Sequence, residues 1–447
     1  MKTASGTVAR MGRGFWVETL GCPKNRVDSD KLVGTLTAEG LLPAPSADEA
    51  DLVVVNTCAF IEEARQESID TILALSDARR PGAELVVTGC MAERYGDELA
   101  TALPEVDRIA PFGTSLVDGR EGGASGEVAV QLGPTRRRPD FDLLNLPRPS
   151  HPVPWAYVKV AEGCDRTCGF CAIPSFRGAQ RSRTDGAILD EVDRLAGSGV
   201  REVVLVAQDL ASYGADRSAK GSLVPLVGEV AARVDRVRLL YLYPSELTDE
   251  LIDTVIATGV PYFDLSLQHA AKSLLRRMRR WGDRGRFLER IESIRAKTPD
   301  AAFRTSFIVG YPGETQEHHD ELVEFLCEAR LDWVGLFPFS LEEGTHAATQ
   351  DGRVDPALVT DRINELSEVQ DPITAASRDA LVGSTITVLV DTPGVARSHR
   401  EAPEIDGVVH VPGSLPPGHL GDVTVLEAAG IDLVAAGAVG ADGDAAR

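Results

Sequence analysis

A chain of 447 residues, 43% hydrophobic and 26% charged, is too long for one ordinary domain and reads as a globular protein of two to four domains. No apolar run approaches the ~20 residues of a membrane span, and residues 1–14 hold Lys2, Arg10 and Arg13 without an apolar stretch, so a short disordered lead is expected in place of a secretory signal. The net charge of −22 excludes broad electrostatic binding to nucleic acid, and seven cysteines in the cytoplasmic location these features imply are expected to be reduced thiols, available for metal or redox chemistry.

Residues 15–20 read as a strand, after which Asp28 offers an N-cap, Leu32, Val33 and Leu36 recur at helical spacing, and Gly40 supplies a stop. The same order returns in 51–56 followed by a helix over 61–75, and in 84–88 followed by 92–103 with Pro104 beyond. Strands alternating with helices predict a parallel sheet, hence an α/β first domain over 15–112. Residues 113–150, rich in Gly, Pro and charge, read as a linker. Six further strands, at 155–161, 202–208, 237–243, 262–268, 303–309 and 333–339, are separated by helical stretches and predict a partial barrel over 151–378. Helical periodicity over 357–377 leads into 379–447, where short Val- and Ile-rich runs broken by Gly and Pro predict a small antiparallel β-barrel.

Cys164, Cys168 and Cys171 fall in the loop leaving the first strand of the second domain, spaced CxxxCxxC. Three thiolates this close suit three irons of a 4Fe-4S cluster, leaving a fourth iron open to chelate S-adenosylmethionine. Zinc is the competing occupant, but it prefers four ligands and no fourth Cys or His follows at a fitting distance. Cys22, Cys58 and Cys90 each stand just past one of the three N-terminal strands. In a parallel sheet those strand ends share one edge, so the three sulfurs are expected to converge on a second cluster whose open iron holds a sulfur to be donated. Cys327 sits among apolar residues and is expected in the core, and His269 is expected to be a hydrogen-bonded structural group. Arg177, Arg181 and Arg183 are expected to pair surface acids, with a clamp on a carboxylate as the alternative.

The three-cysteine loop, with Phe170 just before its last Cys, resembles the signature of the radical S-adenosylmethionine superfamily, which implies that Phe170 lies near the adenine. The turn after the fifth strand, with Gly310 and Gly313, is then expected to bring backbone close to the cofactor. Two three-cysteine sites in this order, followed by a small β-barrel, resemble the methylthiotransferase family over essentially the whole chain. That resemblance implies a flavodoxin-like N-terminal domain, a partial (βα)6 TIM-type barrel and a C-terminal TRAM domain. Stretches 20–25, 27–29, 162–178, 267–270 and 402–407 are most similar to the branch acting on an aspartate of protein twelve of the small ribosomal subunit. The tRNA-modifying branch usually has Gln-Met-Asn after its first cysteine, where this chain has Pro23, Lys24 and Asn25.

The resemblance further implies two uses of S-adenosylmethionine: as methyl donor to a sulfur on the cluster of Cys22, Cys58 and Cys90, and as radical source at the cluster of Cys164, Cys168 and Cys171. The radical takes hydrogen from the β-carbon of the aspartate, which then collects the methylthio group; no catalytic side chain beyond the cluster ligands is expected. Implied partners are the ribosomal protein, free or in the ribosome, a one-electron donor such as flavodoxin or ferredoxin, and a sulfur donor, with no membrane. Residues 381–447 hold nine acids against three arginines. This charge should attract a basic ribosomal protein and keep the TRAM domain from binding nucleic acid directly. Removing 381–447 is accordingly expected to spare both clusters. Competing readings are methylthiolation of a tRNA adenosine and a non-catalytic iron-sulfur carrier; six β/α units after the Phe170 loop favour an enzyme, because a carrier needs no S-adenosylmethionine pocket.

Overall fold

The computed structural model describes residues 12–116, 143–146, 148–149 and 152–437, and the chain divides into two compact units, 1–149 and 150–447. The lead over 1–14 and the linker over 113–150 thus lie mostly outside the described residues.

In the first unit β1 (Gly14–Thr19), β2 (Leu42–Pro43), β3 (Leu52–Thr57), β4 (Glu84–Gly89) and β5 (Arg108–Ala110) form one sheet in the order β2-β1-β3-β4-β5, every pair parallel. Helices α1 (Pro23–Ala38), α2 (Glu62–Ala78) and α3 (Cys90–Ala102) provide the crossovers. Strand β3 is buried along its whole length, as a central parallel strand covered on both faces must be, which is why it opens with an unbroken apolar run over 52–55. The expected N-cap is displaced. Pro23, whose missing N–H costs nothing in a first turn, starts α1 with Cys22 as N-cap, so Asp28 is a buried residue inside the helix. Leu116 and Leu144, at the two described ends of the stretch read as linker, are buried in this unit.

The second unit begins with β6 (Trp155–Lys159), a two-stranded ribbon of β7 (Ala161–Glu162) and β8 (Arg181–Ser182), and the short helix α4 (Ile173–Arg177) between them. It continues through α5 (Asp185–Gly197), β9 (Glu202–Val206), α6 (Leu223–Ala231), β10 (Arg236–Leu239), α7 (Asp249–Ala257), β11 (Tyr262–Gln268), α8 (Lys272–Arg277), α9 (Arg284–Lys297), β12 (Ala302–Val309), α10 (Gln316–Ala329), β13 (Trp333–Pro338) and α11 (Pro356–Asp379). Parallel sheets β6-β9-β10 and β11-β12-β13 are joined by a parallel bridge between Leu242 and Leu265, giving six strands in sequence order. Side-chain hydroxyls of Thr184, Thr248 and Thr315 and the Asp283 carboxylate cap α5, α7, α10 and α9. On α10 the core face is Leu322, Phe325, Leu326 and Ala329; Cys327, one step round from it, is exposed, against expectation.

Strands β14 (Thr385–Thr392), β15 (Val395–Arg397), β16 (Val409–His410), β17 (Leu420–Ala429) and β18 (Asp432–Gly437) close a barrel in the order β14-β15-β16-β18-β17, antiparallel except for the parallel closure of β16 on β18. Segment 397–406 caps the end of the larger barrel where its strands begin. Arg397 Nη1 lies 3.1 Å from Glu202 Oε2, Arg238 Nε donates to Glu202 Oε1 at 2.8 Å, and Arg236 Nη1 donates to the Arg397 carbonyl at 3.1 Å. Tyr157 and Tyr262 hydroxyls donate to Pro403 O and Asp406 Oδ2, both at 2.6 Å. Burial would raise the Glu202 carboxyl, yet Arg397 and Arg238 bring it down to about 2. Stretch 402–407, matched above to a substrate class, therefore has a packing role. The acidic balance of 381–447 is also partly internal, since Asp391, Glu401 and Asp406 are turned onto Arg397, Arg378 and Arg304. Removing 381–447 would uncover Glu202, Arg236 and Arg238 and strip them of the partners this segment supplies, which weighs against the expectation that both clusters are spared.

Candidate functional site

Strands β1, β3 and β4 are neighbours, and their C-terminal ends deliver Cys22, Cys58 and Cys90 to one edge of the first sheet. Cys58 and Cys90 are buried and Cys22 is partly so. Gly21, at φ +88°, packs onto Cys58 so closely that a Cβ there would fall 2.7 Å from the Cys58 Cβ and 2.9 Å from its Sγ. Asn25, fully buried in the first turn of α1, ties the three strand exits together. Its Nδ2 donates to Leu20 O at 2.9 Å and Thr57 O at 3.0 Å, while its Oδ1 lies 3.7 Å from Cys90 Sγ. Asn56 Nδ2 returns a bond to the Asn25 carbonyl at 2.9 Å. In the sequence Asn25 stands only within a matching stretch; its signal is an amide three residues after a cysteine, in the first turn of a helix.

Cys164, Cys168 and Cys171 occupy the loop between β7 and α4, at the end of the larger barrel where active sites of such folds collect. The loop is pinned at many points. Cys164 N–H donates to Gly178 O at 3.1 Å, Gly169 N–H to Met278 O at 2.7 Å, and Ala347 N–H to Gly169 O at 2.7 Å. Tyr243 is sandwiched between guanidinium groups, with Arg166 3.9 Å and Arg280 4.0 Å from its ring centre. Arg280 Nη1 also donates to Cys168 Sγ at 3.5 Å, and Arg166 Nε to Asp209 Oδ2 at 2.6 Å. Backbone strain gathers around this end: Tyr241 beyond β10, Gln268 at the close of β11, and Arg279 all have left-handed φ without being glycine.

Burial pushes the Cys164 thiol up to about 11 and the Cys171 thiol up to about 12, so both sulfurs keep their protons at neutral pH unless a cation displaces them. Among the described residues no three Cys, His, Asp or Glu side chains converge on one metal ion, whereas a cubane takes one thiolate per iron and needs no such convergence. Beside the loop, burial would raise Glu162, but Arg177 and Lys159 outweigh it and hold its carboxyl well below the ordinary range. Arg177 spans both Glu162 oxygens at 3.1 Å, and Arg183 is buried against Glu191 at 2.7 Å. Both are internal struts, so the surface-pairing expectation fails for them and neither is free to clamp a substrate carboxylate. Arg181 lies in β8 and is partly buried.

Phe170 packs against the barrel core. Gly310 and Gly313 have φ +85°, and the space a side chain would need is filled by Val359 of α11 and by the Arg277 guanidinium respectively. Their glycine requirement thus has a packing cause, reinforced by Glu314, which accepts Gly310 N–H at 2.6 Å and pairs with Arg362 at 2.8 Å. His269 is fully buried; its Nδ1 accepts Ala271 N–H at 3.0 Å, and burial depresses its imidazole to about 3. Gln208 Oε1, Asp209 Oδ1 and Arg280 Nε are buried side-chain atoms left without hydrogen-bond partners.

Three family models match the chain: Uncharacterized protein family UPF0004 over 14–111, the Radical SAM superfamily over 158–371, and the TRAM domain over 382–437. The ribosomal protein uS12 methylthiotransferase RimO of Salinispora tropica is 42% identical over 97% of each chain. Its namesake from Streptomyces coelicolor is 40% identical over 93% of this chain and 95% of its own. Among solved structures, the radical S-adenosylmethionine methyltransferase TsrM from Kitasatospora setae aligns with a TM-score of 0.47 and 16% identity, over 73% of this chain and 72% of that one.

Proposed function

The chain belongs to the ribosomal protein uS12 methylthiotransferase family, and from that premise we propose that it adds a methylthio group to the β-carbon of an aspartate of uS12 with two 4Fe-4S clusters and S-adenosylmethionine. Near-full-length identity of about 40% to enzymes of that name carries this reading. The chain's own thiols fit both clusters: Cys22, Cys58 and Cys90 at one sheet edge, and Cys164, Cys168 and Cys171 on one pinned loop. When bound, S-adenosylmethionine and the clusters supply the one-electron chemistry that an unactivated C–H bond demands and side-chain acids and bases do not.

The protein's part is to hold and orient. Gln208 and Asp209 offer acceptors to an ammonium group and Arg280 a donor to a carboxylate, which would satisfy the three orphaned atoms beside the loop. Phe170 would lie against the adenine. The Arg166–Tyr243–Arg280 stack fixes the loop relative to β10 and α8, so the cysteines keep their positions while substrate exchanges. Gly310 and Gly313 shape the neighbouring rim through their packing on Val359 and Arg277. A one-electron carrier and a sulfur source complete the set, in a compartment reducing enough to keep the thiols free.

Mass spectrometry of uS12 and of tRNA from cells with and without the gene tests the reading. The expected result is a methylthio group on uS12 that disappears with the gene while tRNA is unchanged. Loss of a methylthioadenosine with uS12 unaltered would transfer the activity to tRNA, and no change in either would leave an iron-sulfur carrier.

A further inference from the structure

The chain is strongly acidic, yet residues 272–286 hold seven cations, Lys272, Arg276, Arg277, Arg279, Arg280, Arg284 and Arg286, against the single acid Asp283. This is the stretch on which the cysteine loop rests. Met278 O accepts Gly169 N–H at 2.7 Å, and a Cβ on Gly169 would meet Arg277 O at 3.2 Å, so the backbone of 277–278 lies one hydrogen bond from the Cys168–Gly169 peptide. Lys272 and Arg286 share Asp283 at 3.8 and 3.6 Å, and Arg284 is taken up by Glu324 and Glu328. Arg276 and Arg279 are exposed and have no ion-pair partner among the described residues. Arg279 is held outward in a left-handed conformation at φ 55°, and Trp281 beside it is 40% exposed. A pocket of about 410 Å³ lined by Arg277, His346, Gln350 and Asp351 indents the same surface.

We propose that the surface of Arg276, Arg279, Trp281 and Arg286 is the docking site for a small acidic one-electron carrier that reduces the cluster held by Cys164, Cys168 and Cys171. The proposal rests on the radical reading above. In the step, the carrier is oxidised by one electron and the cluster is reduced by one, with no bond made or broken. Charge selects the partner. An acidic carrier is repelled by most of a −22 chain and attracted here, so the field steers it to a stretch whose backbone is hydrogen-bonded to the loop. Redox encounters of this kind are small and short-lived, and an exposed aromatic flanked by arginines suits one. An RNA backbone would recognise the same charges, but it would gain nothing from the hydrogen bond between the backbone beneath them and Gly169.

The test pairs the reconstituted full-length enzyme with a purified acidic flavodoxin. Two readouts are followed: equilibrium binding of the oxidised carrier, and 5′-deoxyadenosine formation driven by the reduced carrier or by dithionite. Arg276→Glu/Arg279→Glu is expected to weaken binding and slow carrier-driven cleavage by about tenfold or more, with dithionite-driven cleavage unchanged. Arg194→Glu/Lys297→Glu, the same charge change at the far ends of α5 and α9, should behave as wild type. Wild-type binding should weaken as salt passes ~0.1–0.15 M, where the Debye length falls to ~10–8 Å. Equal binding and equal carrier-driven rates in both double variants would overturn the proposal. Loss of ribosome or RNA binding in Arg276→Glu/Arg279→Glu, with carrier-driven cleavage intact, would overturn it in favour of a nucleic-acid surface. Failure of the wild type to cleave with dithionite would count against the radical reading instead.

Discussion

The two groups of three cysteines are assembled by opposite routes. Cys164, Cys168 and Cys171 are neighbours in sequence, carried by one loop that a rigid barrel holds through Gly178, Met278 and Ala347. Cys22, Cys58 and Cys90 come from three separate strand exits and share one sheet edge because β1, β3 and β4 are adjacent in the sheet. One site depends on local spacing and the other on topology, so disturbances of the fold should reach them differently.

The largest effects come from removing the thiols. Cys164→Ala/Cys168→Ala/Cys171→Ala should eliminate one cluster and abolish 5′-deoxyadenosine formation. Cys22→Ala/Cys58→Ala/Cys90→Ala should leave cleavage measurable and abolish the methylthio product. Iron content and product analysis of both variants check this; normal product from the second would show that its three thiols only fill space.

Glu202→Ala would strike the support of the loop site alone. It leaves Arg238 buried without its carboxylate and Arg397 with Asp391 alone, a loss of ~3–5 kcal/mol for a broken buried pair. The barrel should unfold at lower denaturant concentration and lose the loop cluster first, while the N-terminal cluster survives. Asn25→Ala is the converse, with a smaller effect. Two carbonyls at the exits of β1 and β3 lose their donor, at ~1–3 kcal/mol per buried group left unpaired. Iron bound by the N-terminal site should fall several-fold, with 5′-deoxyadenosine formation essentially unchanged. Equal damage to both clusters by either substitution would erase the distinction.

The same contrast governs how much could be read from sequence. Apolar runs and helical spacing located all six barrel strands within a few residues, and the CxxxCxxC spacing singled out one loop, between β7 and α4. That Cys22, Cys58 and Cys90 share one sheet edge was legible only through the inference of a parallel sheet, which the strand order bears out. What escaped were properties set by contacts distant in sequence. Asn25 acquires its role from carbonyls at Leu20 and Thr57. The 402–407 stretch resembles a family signature, yet Tyr157 and Tyr262 across the barrel explain it as packing. The apolar neighbours of Cys327 point to the core, whereas one step of helical rotation takes it to the surface.

The smallest expected effect concerns protons on the loop thiols. Burial raises Cys164 to about 11 and Cys171 to about 12, above the value of 9.0 for an unburied thiol. A folded chain that keeps its protons longer than the unfolded one is stabilised in full below the unfolded value, and loses that stability as pH rises through the folded values. The metal-free protein should therefore show a gentle fall in Tm from about pH 9 upward. Measured in the Cys22→Ala/Cys58→Ala/Cys90→Ala background, the slope belongs to the loop, and adding Cys164→Ala/Cys171→Ala should flatten it. Iron must expel the same protons, so uptake by the loop should strengthen with pH over the range in which the bare fold weakens. A slope unchanged by the two added substitutions would mean that the loop thiols are solvated in the metal-free protein, and that burial is not what makes this site depend on its iron.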